Sequence, residues 1–145
     1  MKSHYLKLSV LFFCVLFFSF LWTSCSKDGE GSLNTKITYE ITGNITVPVE
    51  IQYTPTTLDY TTPNEEEYQE TATLPWKKEV ELLPNVGGVG CSVSVDNAVP
   101  NQTVTLKIFR EGKEVATTTD VVDADGYLSC LLNYYMDGKM QVVHD

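Results

Sequence analysis

The sequence is short of the side chains that most catalytic and metal sites use. Its 145 residues include two histidines, His4 and His144, and four cysteines, none of them in Cys-x-x-Cys spacing. Zinc and iron sites usually draw on more of these ligands, and no serine or threonine stands in a nucleophile elbow. We therefore predict no enzyme, no cofactor and no metal site. Only paired carboxylates stay open as a catalytic device, because acidic residues are numerous.

Basic residues are scarce as well. Lys and Arg number 10 against 19 Asp and Glu, which gives a formal net charge of −9. Phosphate binding needs clustered Lys and Arg. The composition therefore excludes nucleic acid as a partner and disfavours direct adhesion to anionic lipid head groups.

The first 24 residues have the composition of a bacterial lipoprotein signal peptide. Lys2 and Lys7 precede the apolar stretch Leu8–Trp22, and Thr23-Ser24-Cys25 follows it. This stretch is shorter than the roughly 20 apolar residues that a spanning helix needs. We predict cleavage before Cys25 and a diacylglycerol on its thiol, although Trp22 stands where lipoprotein signals usually carry leucine. An uncleaved anchor and ordinary secretion are the alternatives.

Residues 25–34 are predicted to be the lipidated Cys25 and a flexible tether, because they contain Gly and Ser and no apolar run. Several acyl chains on one cysteine make the attachment stable. Ser26–Glu30 resembles the acidic export signals of Bacteroidetes lipoproteins, which implies the outer membrane and leaves the surface and periplasmic faces open. Without residues 1–24 the chain has eight basic and nineteen acidic residues, a net charge of −11.

From Thr35 onward, short segments of alternating apolar and polar residues are separated by turn residues. This pattern predicts about eight strands over 35–145. Strands of this length and number favour an all-β, immunoglobulin-like antiparallel β-sandwich, with a closed barrel as the alternative. Pro48 interrupts the strand predicted over Ile45–Tyr53 and places it at a sheet edge or at a bulge. The acidic segment Glu65–Glu67 lies in the longest predicted loop, 54–67.

Four parts of this region, Thr38–Gly43, Val49–Tyr53, Leu74–Val80 and Leu106–Val115, resemble in order and spacing the soluble domain of the MmpS family. The most specific part is Leu-Pro-Trp followed by a polar pair. The resemblance implies a small membrane-anchored β-sandwich protein that assists an exporter of the resistance-nodulation-division type. Members of that family are held by an uncleaved transmembrane helix, where this chain has Cys25.

Trp76 is the residue of the strand region with the largest apolar surface. Pro75 removes a backbone donor and breaks the strand just before it. We predict that Trp76 plugs one corner of the sandwich. The alternative is an exposed side chain that forms a partner contact.

Cys91 and Cys130 both fall on the apolar side of their predicted strands. A disulfide between them would close a loop of about 40 residues and stabilise the domain by roughly 3 to 4 kcal/mol. The alternative is a pair of buried thiols that act as small apolar side chains.

Three acids, Asp120, Asp123 and Asp125, precede Gly126 and could offer oxygen ligands to calcium. The downstream glutamate of a calcium-binding loop is missing. A polar hairpin turn explains the three acids better.

These observations together predict a non-catalytic accessory or binding module of the cell envelope, anchored through lipid on Cys25. Its partner would be an envelope protein, an exporter of the resistance-nodulation-division type among the candidates. The alternatives are a surface-displayed adhesive or structural lipoprotein, and a small-molecule carrier with a cavity of a few hundred Å³ between its sheets.

Overall fold

The computed structural model describes residues 34–56, 68–84 and 86–144 of the chain. The predicted signal peptide 1–24, Cys25 and the tether up to residue 33 lie outside the described residues, as does Glu65–Glu67. Within the described ranges, no helix is long and apolar enough to cross a membrane.

The described residues form nine β-strands and no helix. Burial alternates with exposure along most of the strands, and does so regularly in the two strands that carry cysteine. In chain order the strands are β1 Thr35–Gly43, β2 Val49–Tyr53, β3 Gln69–Ala72, β4 Trp76–Leu82, β5 Gly88–Val95, β6 Thr103–Arg110, β7 Lys113–Val121, β8 Leu128–Tyr135 and β9 Met140–His144.

The strands build two antiparallel sheets. One has the order β4-β1-β6-β7 and the other the order β3-β2-β5-β8-β9. The all-β, two-sheet sandwich predicted from the sequence is thereby confirmed, and the single closed barrel is not the architecture. The immunoglobulin-like classification stays a prediction.

The core consists of the inward-facing side chains of both sheets. Positions two residues apart share a sheet face, so the register of each strand pair decides which side chains are inside. The four-stranded sheet contributes Ile37, Tyr39, Ile41, Val80, Leu82, Val104, Leu106, Ile108 and Ala116. The five-stranded sheet contributes Val49, Ile51, Tyr53, Val89, Cys91, Val93, Val95, Leu128, Cys130, Leu132 and Tyr134.

The prediction for the strand at Pro48 was wrong in two respects. β2 begins at Val49, after the proline, and it pairs with β3 on one side and β5 on the other. It is therefore an inner strand. Because the chain forms no ladder bond at Pro48, the missing N–H costs the sheet nothing, and Ile45 is still buried ahead of the strand. The register shift that the sheets do contain lies at Ile108/Phe109.

Candidate functional site

Each sheet ends in two edge strands, and polar contacts connect them in pairs on the two open sides of the sandwich. β4 and β3 meet on one side. There the indole Nε1 of Trp76 donates to the Glu70 carboxylate over 3.0 Å, and Lys78 Nζ lies 3.5 Å from the same carboxylate. Lys78 also stands over the Tyr53 ring, 5.2 Å from its centroid. Tyr53 and then Glu70 raise the pKa of Lys78 above its ordinary value.

Trp76 packs against other aromatic side chains on the β3–β4 side. Its ring is half-buried, its centroid is 5.7 Å from that of Tyr53, and Tyr53 in turn contacts Tyr39 at 5.8 Å. Tyr39 is fully buried and donates its hydroxyl hydrogen to the carbonyl of Thr54. Tilted ring pairs at such separations are stabilising. Whether Trp76 is a structural plug or a partner contact stays a prediction.

Three donor side chains converge on the opposite side, where β7 and β9 meet. Asp120 of β7, Cys130 of β8 and His144 of β9 each bring one ligand atom to within 4.8 Å of the other two. His144 Nδ1 and Asp120 Oδ2 are 2.8 Å apart. Cys130 is buried, whereas the His144 side chain is 47% exposed. We call these three residues the β7–β9 cluster.

The β7–β9 cluster contains the residue types of a nucleophilic cysteine site but not its electrostatics. A reactive cysteine needs access and a lowered pKa. Burial, and after it the Asp120 carboxylate, raise the pKa of the Cys130 thiol to about 11. Cys130 as a whole residue is 1% exposed. The arrangement therefore suits a ligand or a packed thiol better than an attacking thiolate.

The two cysteines are free thiols in the structure, so the disulfide is not formed there. In the β5–β8 register, Cys91 lies opposite Leu132 and Cys130 lies opposite Val93. The two cysteines are thus diagonal neighbours on one face, and diagonal residues stand about 7–8 Å apart. A disulfide joins Cα atoms about 4.4–6.8 Å apart. The alternative of two buried thiols is the arrangement present.

The three acids before Gly126 have different structural roles. Asp123 Oδ1 accepts hydrogen bonds from the backbone N–H groups of Asp125 and Tyr127, so it closes the turn between β7 and β8. Asp120 instead belongs to the β7–β9 cluster. The polar-turn interpretation agrees with the contacts of Asp123 and Asp125, while Asp120 has a separate partner in His144.

Two loops at the end of the sandwich opposite Thr35 present exposed apolar side chains. They are 96–102, after β5, and 122–127, after β7. Backbone bonds between the loops, including Ala98 N to Gly126 O at 2.9 Å, hold them together. Val99 and Tyr127 on these loops, with Val121 at the end of β7, are 58%, 37% and 51% exposed. We call this the distal loop pair.

Two shallow clefts open at the four-stranded sheet, one on its outer face and one at its β4 edge, where Thr56 and Val80 contribute to the lining. The larger, of about 460 Å³, is lined mainly by charged side chains such as Lys36, Glu40, Lys77 and Glu79. The second, of about 440 Å³, shares Lys36 and Glu79 with it. Lys36 and Glu79 form an exposed ion pair at 2.8 Å. Neither cleft lies between the sheets, where a small-molecule carrier would hold its ligand.

Comparison with known proteins adds no relative to this description. The scan against protein-family models, the search of curated proteins and the search of solved structures all find no match. The resemblance to the MmpS family and the exporter partner that it implies therefore stay predictions.

Sequence reasoning missed the β7–β9 cluster because it counted histidines and did not place His144. The expectation of no metal site depended on that count. The alternation of β8 already puts Cys130 inside, and the β8–β9 register then places His144 directly opposite Cys130 on the same face. Hairpin register was the signal that could have found the cluster.

Proposed function

We propose that this protein is a lipid-anchored component of the bacterial cell envelope whose β-sandwich acts as a non-catalytic binding module. The N-terminal sequence up to Cys25 supports the anchor. β1 begins at Thr35, so residues 26–34 separate the proposed lipid from the first strand.

The distal loop pair is the observation that carries the binding role. Antiparallel pairing puts Gly43 of β1 beside Val104 of β6, so the loops that flank β6 and β8 at this end are far from Thr35, where the tether enters. A tether at one end leaves the other end free to meet a partner. Exposed apolar side chains on loops that are already fixed by hydrogen bonds lose little entropy on binding, and loops on a rigid scaffold are the usual carriers of function.

Site-specific photocrosslinking in intact cells tests the binding role. A photoreactive amino acid replaces Val99 or Tyr127 in the full chain, and the matched control carries it at Lys113, an exposed position at the other end of the sandwich. We expect discrete protein adducts from positions 99 and 127 and few from 113. Equal adduct patterns at all three positions would contradict a distal binding surface.

The identity of the adducts separates the envelope roles. A transporter among them would support the accessory role that the MmpS resemblance implies, and other envelope proteins would leave a general binding module. Protease treatment of whole cells tests the adhesive alternative, because protection of the domain would exclude display on the cell surface.

The anchor has its own test. Metabolic labelling with a fatty acid should mark the wild-type chain and not the Cys25→Ser variant. Continued labelling of that variant would show that another residue carries the lipid.

A further inference from the structure

The β7–β9 cluster brings together donors from three strands and both sheets. The β8–β9 register sets Cys130 opposite His144. The β6–β7 register sets Asp120 opposite Val104, which is buried, so Asp120 faces inward from the edge of the other sheet. The three ligand atoms lie within 4.8 Å of one another. We propose that Asp120, Cys130 and His144 bind one divalent transition-metal ion, with Zn²⁺ the ion that suits them best.

The donor types decide which class of ion fits. A thiolate and an imidazole favour zinc and its neighbours, whereas calcium and magnesium take oxygen ligands. One Cys, one His and one Asp supply three of the four positions of a tetrahedral zinc ion. The fourth position would be left to water or to a donor from another molecule, because the His144 side chain is 47% exposed.

The geometry is close to that of a bound ion. With zinc–ligand distances of about 2.0–2.3 Å, donor atoms of a tetrahedral site stand roughly 3.3–3.7 Å apart. The donors here are at most 4.8 Å apart, so movements on the order of 1 Å would close the site. His144 can supply them because its side chain is about half exposed, and its 2.8 Å bond to Asp120 would be exchanged for two bonds to the ion.

Metal binding at this site requires only the release of a proton. The Cys130 thiol loses its proton to solvent as sulfur coordinates the ion, and His144 coordinates through a neutral ring nitrogen. Nothing is oxidised or reduced. The ion connects β7 of one sheet to β8 and β9 of the other, so occupancy should stabilise the sandwich on this side by mass action.

Cobalt titration of the full chain tests the site. The protein is purified in detergent without a histidine tag, reduced and freed of metal, and Co²⁺ serves as the spectroscopic probe. We expect a saturable thiolate-to-cobalt charge-transfer band with one ion per chain, bleached by Zn²⁺. The control is Cys91→Ser, because Cys91 is equally buried on the neighbouring strand and lies outside the cluster. This variant should keep the band, while Cys130→Ser should lose it.

A second variant avoids any defect in the core. His144 is exposed, so His144→Ala should fold normally and bind Co²⁺ at least tenfold more weakly. Zn²⁺ should raise the melting temperature of the wild type and of Cys91→Ser but not of His144→Ala. Three results would overturn the proposal: no saturable band, a band that survives in Cys130→Ser, or unchanged affinity in His144→Ala. Any of them would leave Asp120 and His144 as an ion pair beside a packed thiol.

Discussion

Replacement of Trp76 separates a structural ring from a partner contact. Complete removal of a tryptophan side chain from a core costs about 3 to 5 kcal/mol. Trp76 is only half-buried but packs on Tyr53 and donates to Glu70. We therefore expect Trp76→Ala to lower the free energy of unfolding by about 3 kcal/mol, the lower limit of that range.

A milder substitution at the same position isolates the hydrogen bond. Trp76→Phe keeps an aromatic ring against Tyr53 and removes the Nε1 donor together with a small part of the apolar ring. Glu70 retains Lys78 within 3.5 Å, so its carboxylate is not left alone, and the loss should be about 1 kcal/mol. The ordering of the two variants is therefore part of the prediction.

The measurement is urea unfolding of the full chain followed by circular dichroism, with thermal unfolding as a second readout. For a domain of this size a loss of about 3 kcal/mol lowers the melting temperature by on the order of 10 °C or more. Val99→Ala is the control, because its side chain is 58% exposed and should cost less than about 0.5 kcal/mol. If Trp76→Ala were as stable as this control, the ring would not support the corner, and a partner contact would be the better explanation.

Further predictions concern the buried thiols and two glycines. In the reduced protein neither Cys91 nor Cys130 should react with a thiol reagent until denaturant is added, after which both should react; in the protein as purified, a mass lower by two hydrogen atoms than that of the dithiol would instead show a disulfide. Burial raises the pKa of the Cys91 thiol above its ordinary value of 9.0. The unfolded chain therefore releases this proton first, and stability that is complete below pH 9 should fall by about 1.4 kcal/mol per pH unit above it. In the Cys91→Val variant, the free energy of unfolding should fall less steeply with pH above pH 9, by this amount per pH unit. Gly126 and Gly112 both have positive φ, 82° and 77°, but a Cβ would lie 2.7 Å from the Ala98 carbonyl oxygen only at Gly126. Gly126→Ala should therefore cost about 1 to 3 kcal/mol more than Gly112→Ala in the same unfolding assay, and equal losses would contradict the close approach.

Strand positions were predictable because alternation is a local property. Polar and apolar residues alternate along β5, β6 and β8, and their burial follows the same period. The prediction at Pro48 was wrong because a proline excludes one ladder hydrogen bond, but its position does not determine whether the strand begins before or after the proline. The pairing of β2 with both β3 and β5 depends on contacts across the sandwich, which no local pattern contains.

The position of His144 in the β7–β9 cluster also could not be predicted from a local pattern. A two-residue turn at Asp137-Gly138 would pair Cys130 with Asp145 and turn His144 outward. The observed hairpin pairs Cys130 with His144, one residue away from that register. A slip of one residue reverses every side chain of a strand. Three residues, 136–138, connect the two strands, and Gly138 has a positive φ of 93°. The length of this loop therefore decides which residue of β9 faces the thiol.

Different contacts connect the two sheets on the two open sides of the sandwich. A double variant tests whether these contacts stabilise the fold independently. Trp76 closes the β3–β4 side with an aromatic ring, and His144 closes the β7–β9 side with a bond to Asp120. The contact of Trp76 with Glu70 joins β4 to β3, and that of His144 with Asp120 joins β9 to β7. In each sheet these strands are opposite edges, so the two residues share no partner. Losses of stability at distant sites add within about 0.3–0.5 kcal/mol. The double variant Trp76→Phe with His144→Ala should therefore lose the sum of the single losses in metal-free urea unfolding. If the double variant departed from this sum by more than about 0.5 kcal/mol, the two sides would be coupled. The stability contributed by each side could then not be measured separately.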